Sequence, residues 1–189
     1  MRRYLSVSVI MLTGLAVWLT FGEGSTLATL DTLTPVTPNT ADNGAVYRQS
    51  YLEGALLRRY NEDGQREQTL GLAAADQYTN SETQYLKELR FEGSDTDGKV
   101  WIMTSKTGEL RNGGSELLLA GDVRITDSRT QSVLDTTNLT IYPDQKIASN
   151  EAPLTLTSTT SQTHAEGLVV DFEKGTATLK RKVETVYEP

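Results

Sequence analysis

The chain contains no cysteine and only one histidine, His164. Without cysteine there can be no disulfide, no thiol nucleophile and no thiolate-bound metal. The one histidine lies in a polar stretch, which also argues against a hydrolytic triad and against a histidine-ligated metal site. We therefore expect no catalytic residue, no metal site and no cofactor. His164 lies in the polar stretch TSQTHAEG, and we interpret it as a solvated loop or edge residue.

Clustered positive charge is also missing. The formal net charge is −7, and Arg2 and Arg3 are the only charged residues before Glu23, so the rest of the chain is more acidic still. Binding to nucleic acid depends on clustered Lys and Arg side chains that neutralise phosphates. The basic run KRK at 180–182 lies in a strand-like segment. We predict no nucleic-acid partner.

Long apolar runs are absent except near the N-terminus, where residues 4–21 form 18 residues without a charge. As a helix this run would span about 27 Å, close to the hydrocarbon thickness of a bilayer at about 30 Å. Basic residues precede it, so the positive-inside rule places the C-terminal bulk on the outer side of the membrane. We predict a single-pass inner-membrane anchor over 1–21. The alternative is a cleavable signal peptide, and the domain is exported in either case.

Residues 22–45 are rich in Gly, Thr, Pro and Asn without a hydrophobic period, which predicts a flexible tether. From 46 to 189 the apolar period is two, as in half-buried strands. Leu168 and Val170, for example, flank Val169. The pattern predicts an antiparallel all-β domain over 46–189, in the form of a sandwich, barrel or roll. Turn signals separate the strands at Asp63-Gly64, 79–81, Asp97-Gly98, Asn112-Gly113-Gly114, Pro143-Asp144 and Lys174-Gly175.

The strand pattern also repeats. Leu110, Leu139 and Leu168 recur at an interval of 29 residues in similar contexts. Each unit of about 30 residues holds two or three strands and cannot bury a face alone, so the units are expected to stack. Such a stack has a free strand edge at each end, where another chain can add strands.

The inward positions of the predicted strands form one apolar set with few large aromatic side chains. The residues leave two interpretations open for this set, an ordinary closed core or a groove that accepts acyl chains. Its members are Leu72, Tyr78, Leu89, Phe91, Trp101, Met103, Leu117, Leu119, Val123, Ile125, Leu139, Ile141, Leu154, Leu156, Leu168, Val170 and Phe172.

Four stretches carry a resemblance to a known family. They read YNEDG at 60–64, LAGDVRI at 119–125, LTL at 154–156 through GLVV at 167–170, and KVETVY at 182–187. Combined with the basic N-terminus, the single apolar helix and the order of the repeats, they resemble the LptC family, the membrane-anchored component of lipopolysaccharide export in Gram-negative bacteria. Residues 46–60 match the family weakly and leave the register of a first strand open.

The resemblance implies an open OstA-like β-jellyroll that holds the acyl chains of lipopolysaccharide in its interior. LptC-like proteins receive lipopolysaccharide from an inner-membrane ABC transporter and pass it to the periplasmic bridge protein LptA, using one edge of the roll for each partner. Gly64 and Gly167 fall on glycines of the family pattern; we expect Gly64 to close the first hairpin and Gly167 to allow a bulge or a close backbone approach. The residues that we assign to the partner-binding edges are Gly64, Gly167, Ala177, Leu179, Val183 and Tyr187.

Two other functions remain as alternatives. One is a membrane-tethered β scaffold that binds protein partners by edge-strand addition and has a dry core. The other is a hydrolase on a β scaffold, which the missing cysteine and the single histidine disfavour. A lipid-binding measurement separates the scaffold from the transfer protein, because both would use strand edges.

Overall fold

The computed structural model describes residues 46–79, 81–94, 100–171, 174 and 176–187. These residues form one nine-stranded sheet in which every strand pairs antiparallel with its neighbours in the chain, in the order β1 to β9. Among them there is no α-helix, and a 3₁₀ turn at Asn112–Gly114 connects β4 to β5. The strands are β1 Arg48–Tyr60, β2 Arg66–Tyr78, β3 Gln84–Ser94, β4 Val100–Arg111, β5 Glu116–Asp127, β6 Ser132–Tyr142, β7 Ile147–Thr157, β8 Ser161–Asp171 and β9 Thr176–Tyr187. The predicted antiparallel all-β class is confirmed.

Several predictions fall on residues that the structure does not describe. The anchor at 1–21, the tether at 22–45, the turn signal Asp97-Gly98 and the inward residue Phe172 all lie outside the described residues. In the described part of the chain, no helix is long and apolar enough to cross a membrane.

The described turn signals join consecutive strands, as predicted. Gly64 closes the turn between β1 and β2 with a φ of +76°, a conformation that favours glycine because it has no Cβ. In the turn between β6 and β7, the Lys146 N–H donates to the Pro143 carbonyl at 3.0 Å. The predicted break at 79–81 falls between β2 and β3. The register of the first strand, which the sequence left open, pairs Leu57 with Leu70.

The 29-residue repeat corresponds to a pair of strands. Leu110, Leu139 and Leu168 lie in β4, β6 and β8, so each repeat adds two strands to the sheet. Because neighbours in the chain are also neighbours in the sheet, β1 and β9 are its two edges. Both edges that the repeat pattern predicted are therefore present among the described strands.

The sheet buries one of its two faces. In β5, Val123 and Ile125 are at most 4% exposed, whereas Arg124 between them is exposed. The buried apolar residues of β3 to β8 form one cluster, and apolar residues of β2 and β9 pack against it. The described residues contain no second layer that could cover this inner face. The sheet must therefore curl over its own inner face to remove it from water.

A row of irregularities crosses the sheet midway along the strands, and we call this row the crease. The pairing register shifts by one residue at every interface from β4/β5 to β8/β9. The shifts fall between Thr104 and Thr107, Ala120 and Val123, Thr136 and Thr140, Asn150 and Pro153, and His164 and Glu166. Positive φ angles at Gly54, Glu88, Asp122, Gly167 and Lys182 extend the row to both edge strands. Because β-bulges bend and twist the strand that carries them, the crease supplies the bend that the curled sheet needs.

Side chains bind the backbone carbonyls that the crease releases from the ladder. The Asn150 side-chain amide donates to the carbonyl of Asn138 at 3.1 Å and to Thr136 Oγ1 at 2.8 Å. Thr136 Oγ1 in turn donates to the carbonyl of Pro153 at 2.9 Å. A buried carbonyl without a partner is costly, so these polar residues are needed inside an otherwise apolar face.

Candidate functional site

The apolar residues of the inner face form rows that run from strand to strand. One row follows the pairing register through all nine strands, and we call it the first row. Its members are Leu57, Leu70, Phe91, Met103, Ile125, Leu134, Leu156, Thr163 and Thr185. A second row lies on the other side of the crease and consists of Leu110, Leu117, Ile141, Ala148, Val170 and Ala177. Paired strands lie about 4.8 Å apart, so the neighbouring side chains of a row touch. The first row is apolar from β1 to β7 and ends in Thr163 and Thr185, whose hydroxyl groups are hydrogen-bonded at 2.9 Å.

The structure brings most of the predicted inward residues together in this interior. The buried ones are Leu89, Phe91, Trp101, Met103, Leu117, Leu119, Val123, Ile125, Leu139, Ile141, Leu154, Leu168 and Val170, while Leu72 and Leu156 are half-buried beside them. Phe91 and Trp101 stack with ring centroids 4.9 Å apart. Leu119, Val123 and Ile141 are fully buried. The middle of the interior is therefore packed closed.

Tyr78 is separate from this interior, in contrast to its predicted place in the inward set. It is not part of the apolar cluster, and its ring meets the ring of Tyr85 edge-on at 5.8 Å. Tyr85 is 38% exposed and pairs with Asp76, which forms ion pairs with Arg48 and Lys87. An apolar period of two predicts that Tyr78 faces inward. Within β2, however, the inward positions shift by one residue between Leu72 and Ala75, so Tyr78 faces the other side of the sheet.

The interior opens towards solvent at the two edges of the sheet. On β1, Leu57 pairs with Leu70 of the first row and is 51% exposed. On β9, Leu179 pairs with the buried Leu168 and is itself half-buried. Apolar inner-face side chains are thus accessible on both edge strands, although the middle is closed.

Three buried polar residues in the crease lie within the apolar interior and were missed in the sequence. Ser105, Thr136 and Asn150 are 4%, 8% and 4% exposed and come from β4, β6 and β7. They lie between the two apolar rows. The available signal was a change of spacing, since the inner positions beside the crease are three or four residues apart, as from Thr136 to Leu139. Elsewhere in a strand they are two residues apart.

The predicted edge residues occupy different places. Ala177 and Leu179 are half-buried on β9, where Val183 and Tyr187 are 40% and 68% exposed. Gly64 lies in the first turn. Gly167 lies one strand inside the edge, in β8.

Gly167 has both properties that the sequence analysis considered for it, the backbone conformation of a bulge and a close approach of neighbouring atoms. Its φ is +83°, and a Cβ at this position would lie 3.0 Å from Lys180 Cδ and 3.3 Å from the Asn150 carbonyl oxygen. Lys180 of β9 passes across β8 at this point and forms an ion pair with Glu151 of β7. Arg181 reaches the same carboxylate at 2.9 Å. Because Gly167 has no side chain, Lys180 can cross β8 and its ion pair with Glu151 can hold β9 to β7.

A trough of about 860 Å³ runs along the crease and is lined by residues of β4 to β9. In it, Arg124 donates two hydrogen bonds to Asp135, at 2.7 and 3.0 Å. His164 lies here, exposed in a strand rather than a loop, with Nδ1 3.1 Å from Thr155 Oγ1. Within the described residues, no group of three or more His, Cys, Asp or Glu side chains could hold a metal ion.

Replacing Glu151 with glutamine should lower the melting temperature at neutral pH. The melting temperature of the variant should also fall less than that of the wild type when the pH is lowered from 7 to 3. The pKa of the Glu151 carboxyl lies below its usual value because Lys180 donates a hydrogen bond to it, with a further contribution from Arg181. A depressed folded-state pKa gives stability that is present above the unfolded-state pKa and is lost as the pH falls through the folded value. Thermal unfolding from pH 7 to pH 3 measures the effect, with Glu62→Gln in the first turn as the control. Identical pH profiles for wild type and Glu151→Gln would contradict the prediction.

Comparison with known proteins identifies one family. The family model described as "Lipopolysaccharide-assembly, LptC-related" matches residues 9–188, which is nearly the whole chain and includes all nine strands. A search of curated proteins found no match.

Proposed function

The chain belongs to the LptC family of lipopolysaccharide-assembly proteins, and we propose that it carries lipopolysaccharide by holding its acyl chains along the inner face of the sheet. The resemblance found in the sequence is thereby confirmed at the level of the family. In the proposal, residues 1–21 anchor the chain in the inner membrane, residues 22–45 are the tether, and the sheet is an open β-jellyroll in the periplasm. One edge receives lipopolysaccharide from the inner-membrane ABC transporter, and the β9 edge passes it to LptA.

The observation that carries this proposal is the first row, which is apolar from β1 to β7 and has an exposed member, Leu57, at its β1 end. Exposing an acyl chain to water costs about 0.8 kcal/mol for each CH₂ group. A continuous apolar track therefore lowers the barrier to moving such a chain between two membranes. No bond is made or broken in this process, so the proposal needs no catalytic group, and the driving force comes from the transporter.

The closed middle of the interior defines how lipid would enter. Leu119, Leu139 and Ile141 are at most 1% exposed, so an acyl chain cannot lie among them unless the two sides of the curled sheet separate. We propose that acyl chains first contact the half-buried residues near the edges, such as Leu72 and Leu179. The bulges of the crease are where the sheet would flex, because the backbone ladder is interrupted there.

A scaffold that binds only proteins is the second candidate, and the same full burial of the middle residues favours it. In that case the interior stays dry, and only the strand edges contact partners. Lipid capture distinguishes the two functions.

A photo-crosslinking amino acid placed on the inner face should capture lipopolysaccharide in cells. Leu72, Leu156 and Leu179 are suitable positions because they face the interior and are only half-buried, so that a larger side chain is tolerated. Arg124 and Asp135 on the outer face are the matched controls. We expect lipopolysaccharide adducts from the three inner positions and at most a background signal from the two outer ones.

Two results would reject the transfer function. Adducts only from Arg124 or Asp135 would show that lipid contacts the outer face. A lack of lipid adducts at all five positions, with normal binding of protein partners, would favour the scaffold.

A further inference from the structure

A third row of inner-face residues lies near the turn ends of β1 to β6, and we call it the rim row. Each member is two residues further from the crease than the first-row residue of the same strand. It therefore faces the same side and lies about 7 Å further along the strand. The pairing register joins the members, which are Arg59, Gln68, Gly93, Trp101, Asp127 and Ser132.

The inner face changes from apolar to polar between the first row and the rim row. Over β1 to β6 every first-row side chain is apolar, whereas every rim-row residue except Gly93 has a hydrogen-bonding side chain. Strand ends are commonly polar because water surrounds them. Gln68, Trp101 and Asp127, however, are each only 6% exposed. The rim row is therefore part of the interior, where polar groups need partners.

Trp101 carries a buried donor without a partner. Its Nε1 is buried and has no hydrogen-bond partner among the described residues. A Cβ on Gly93 would lie 2.4 Å from this nitrogen, so the indole lies across the inner face of β3 in the space that a side chain at Gly93 would fill. Stacking on Phe91 holds the ring there. Because an unpaired buried N–H is costly, this donor fits an acceptor oxygen that comes from outside the chain.

The charges around Trp101 favour a neutral oxygen over a phosphate. Asp127 lies directly opposite Trp101 in the ladder. The nearby guanidinium groups already form ion pairs, Arg129 with Asp127 at 3.8 Å and Arg59 with Glu67 at 3.9 Å. A phosphate at Nε1 would bring a second negative charge close to Asp127 in a poorly solvated site, which is unfavourable. A carbonyl oxygen brings no charge.

We propose that Trp101 Nε1 donates a hydrogen bond to the carbonyl oxygen of the ester or amide that joins an acyl chain to the head of a lipid. An acyl chain that runs from the rim row past the first row would place its carbonyl group beside Trp101. As elsewhere in the interior, the two sides of the curled sheet must separate to admit the chain. The inference rests on the proposed function, in which acyl chains lie on the inner face, and it adds the group that fixes where such a chain begins.

Replacing Trp101 with benzothienylalanine tests the proposal, because sulfur takes the place of the N–H and the ring keeps its shape. The probes are dodecanoylglycerol, which has an ester carbonyl, and dodecyl glyceryl ether, which has the same chain and head without it. Binding is measured with the full-length protein in amphipol, where no detergent competes. We expect the wild type to bind the ester about two- to tenfold more tightly than the ether, as one net hydrogen bond provides. The variant should bind both probes equally.

Stability separates a donor that serves a ligand from one that serves the fold. Because Nε1 has no partner in the described part of the chain, its loss should leave the urea midpoint of the benzothienylalanine variant unchanged or raise it. A lower midpoint would show that the N–H binds another part of the protein, and would overturn the proposal. Trp101→Phe is a second variant that keeps an aromatic ring and lacks the donor, and it should also lose the preference for the ester.

Three binding results would overturn the proposal. They are equal affinity of the wild type for ester and ether, binding of neither probe, and a preference for the ester that persists in both Trp101 variants. Dodecyl phosphate is the third probe. If it binds the wild type more tightly than the ester does, and this advantage is lost in the variants, the site belongs to a phosphate instead.

Failure of the Trp101 site is distinguishable from failure of the transfer function. Lipopolysaccharide adducts from Leu72, Leu156 and Leu179 together with equal affinities for ester and ether would reject the Trp101 site alone. A preference for the ester without any lipopolysaccharide adduct would reject the transfer function and leave the site in place.

Discussion

Replacing Leu139 with alanine is expected to lower the free energy of unfolding by about 2–5 kcal/mol. Leu139 is 1% exposed in the middle of β6 and pairs with the fully buried Leu119. Alanine would leave a cavity there, because the neighbouring strands are held by their ladders and cannot collapse into the space. The loss combines the transfer free energy of the removed methyl groups with the cost of the cavity. Urea unfolding followed by circular dichroism measures it.

Leu56→Ala is the matched control for Leu139→Ala. Leu56 is 53% exposed on the edge strand β1, opposite Gly71, so its truncation should change stability by no more than about 0.5 kcal/mol. Equal effects of the two substitutions would contradict the structure of the interior. A large loss at Leu139 alone would show that the middle of the inner face is a packed core, whose contacts an acyl chain would have to displace.

Replacing Gly167 with alanine is expected to destabilise the protein by about 1–3 kcal/mol and to loosen β9. Two effects act together at this position. The φ of +83° is strained for any residue with a Cβ, and the added methyl group would lie 3.0 Å from Lys180 Cδ and 3.3 Å from the Asn150 carbonyl oxygen. Lys180 would have to move, which weakens its ion pair with Glu151. Gly167→Arg should be worse, because a long side chain must also find room beside Lys180.

Gly64→Ala separates the two effects. Gly64 has nearly the same φ, +76°, but a Cβ there would have no neighbour within 4 Å, so alanine should add backbone strain alone. Hydrogen exchange of the β9 amides, measured together with urea unfolding, reports both consequences. We expect fast exchange in β9 for Gly167→Ala and unchanged exchange there for Gly64→Ala. Similar exchange in β9 for both variants would show that Lys180 does not hold the edge.

The amino-acid sequence by itself determined the class of fold and the order of its parts. Alternation such as Val123-Arg124-Ile125 and turn signals such as Asp63-Gly64 are local properties, because they depend only on which side of one strand a residue faces. The 29-residue repeat then predicted that like units stack with two free edges, and β1 and β9 are those edges. The resemblance to the LptC family also lay in the sequence.

Only the tertiary structure decided how the strands meet. The crease, the polar residues Ser105 and Asn150 inside it, and the place of Tyr78 beside Tyr85 all follow from a change of phase within strands. A spacing of three or four residues in one strand has no clear meaning until the neighbouring strand shows which residues lie opposite. The closed middle around Leu139 is a tertiary property for the same reason: one strand can show which face is apolar, but what covers that face depends on how the whole sheet curls.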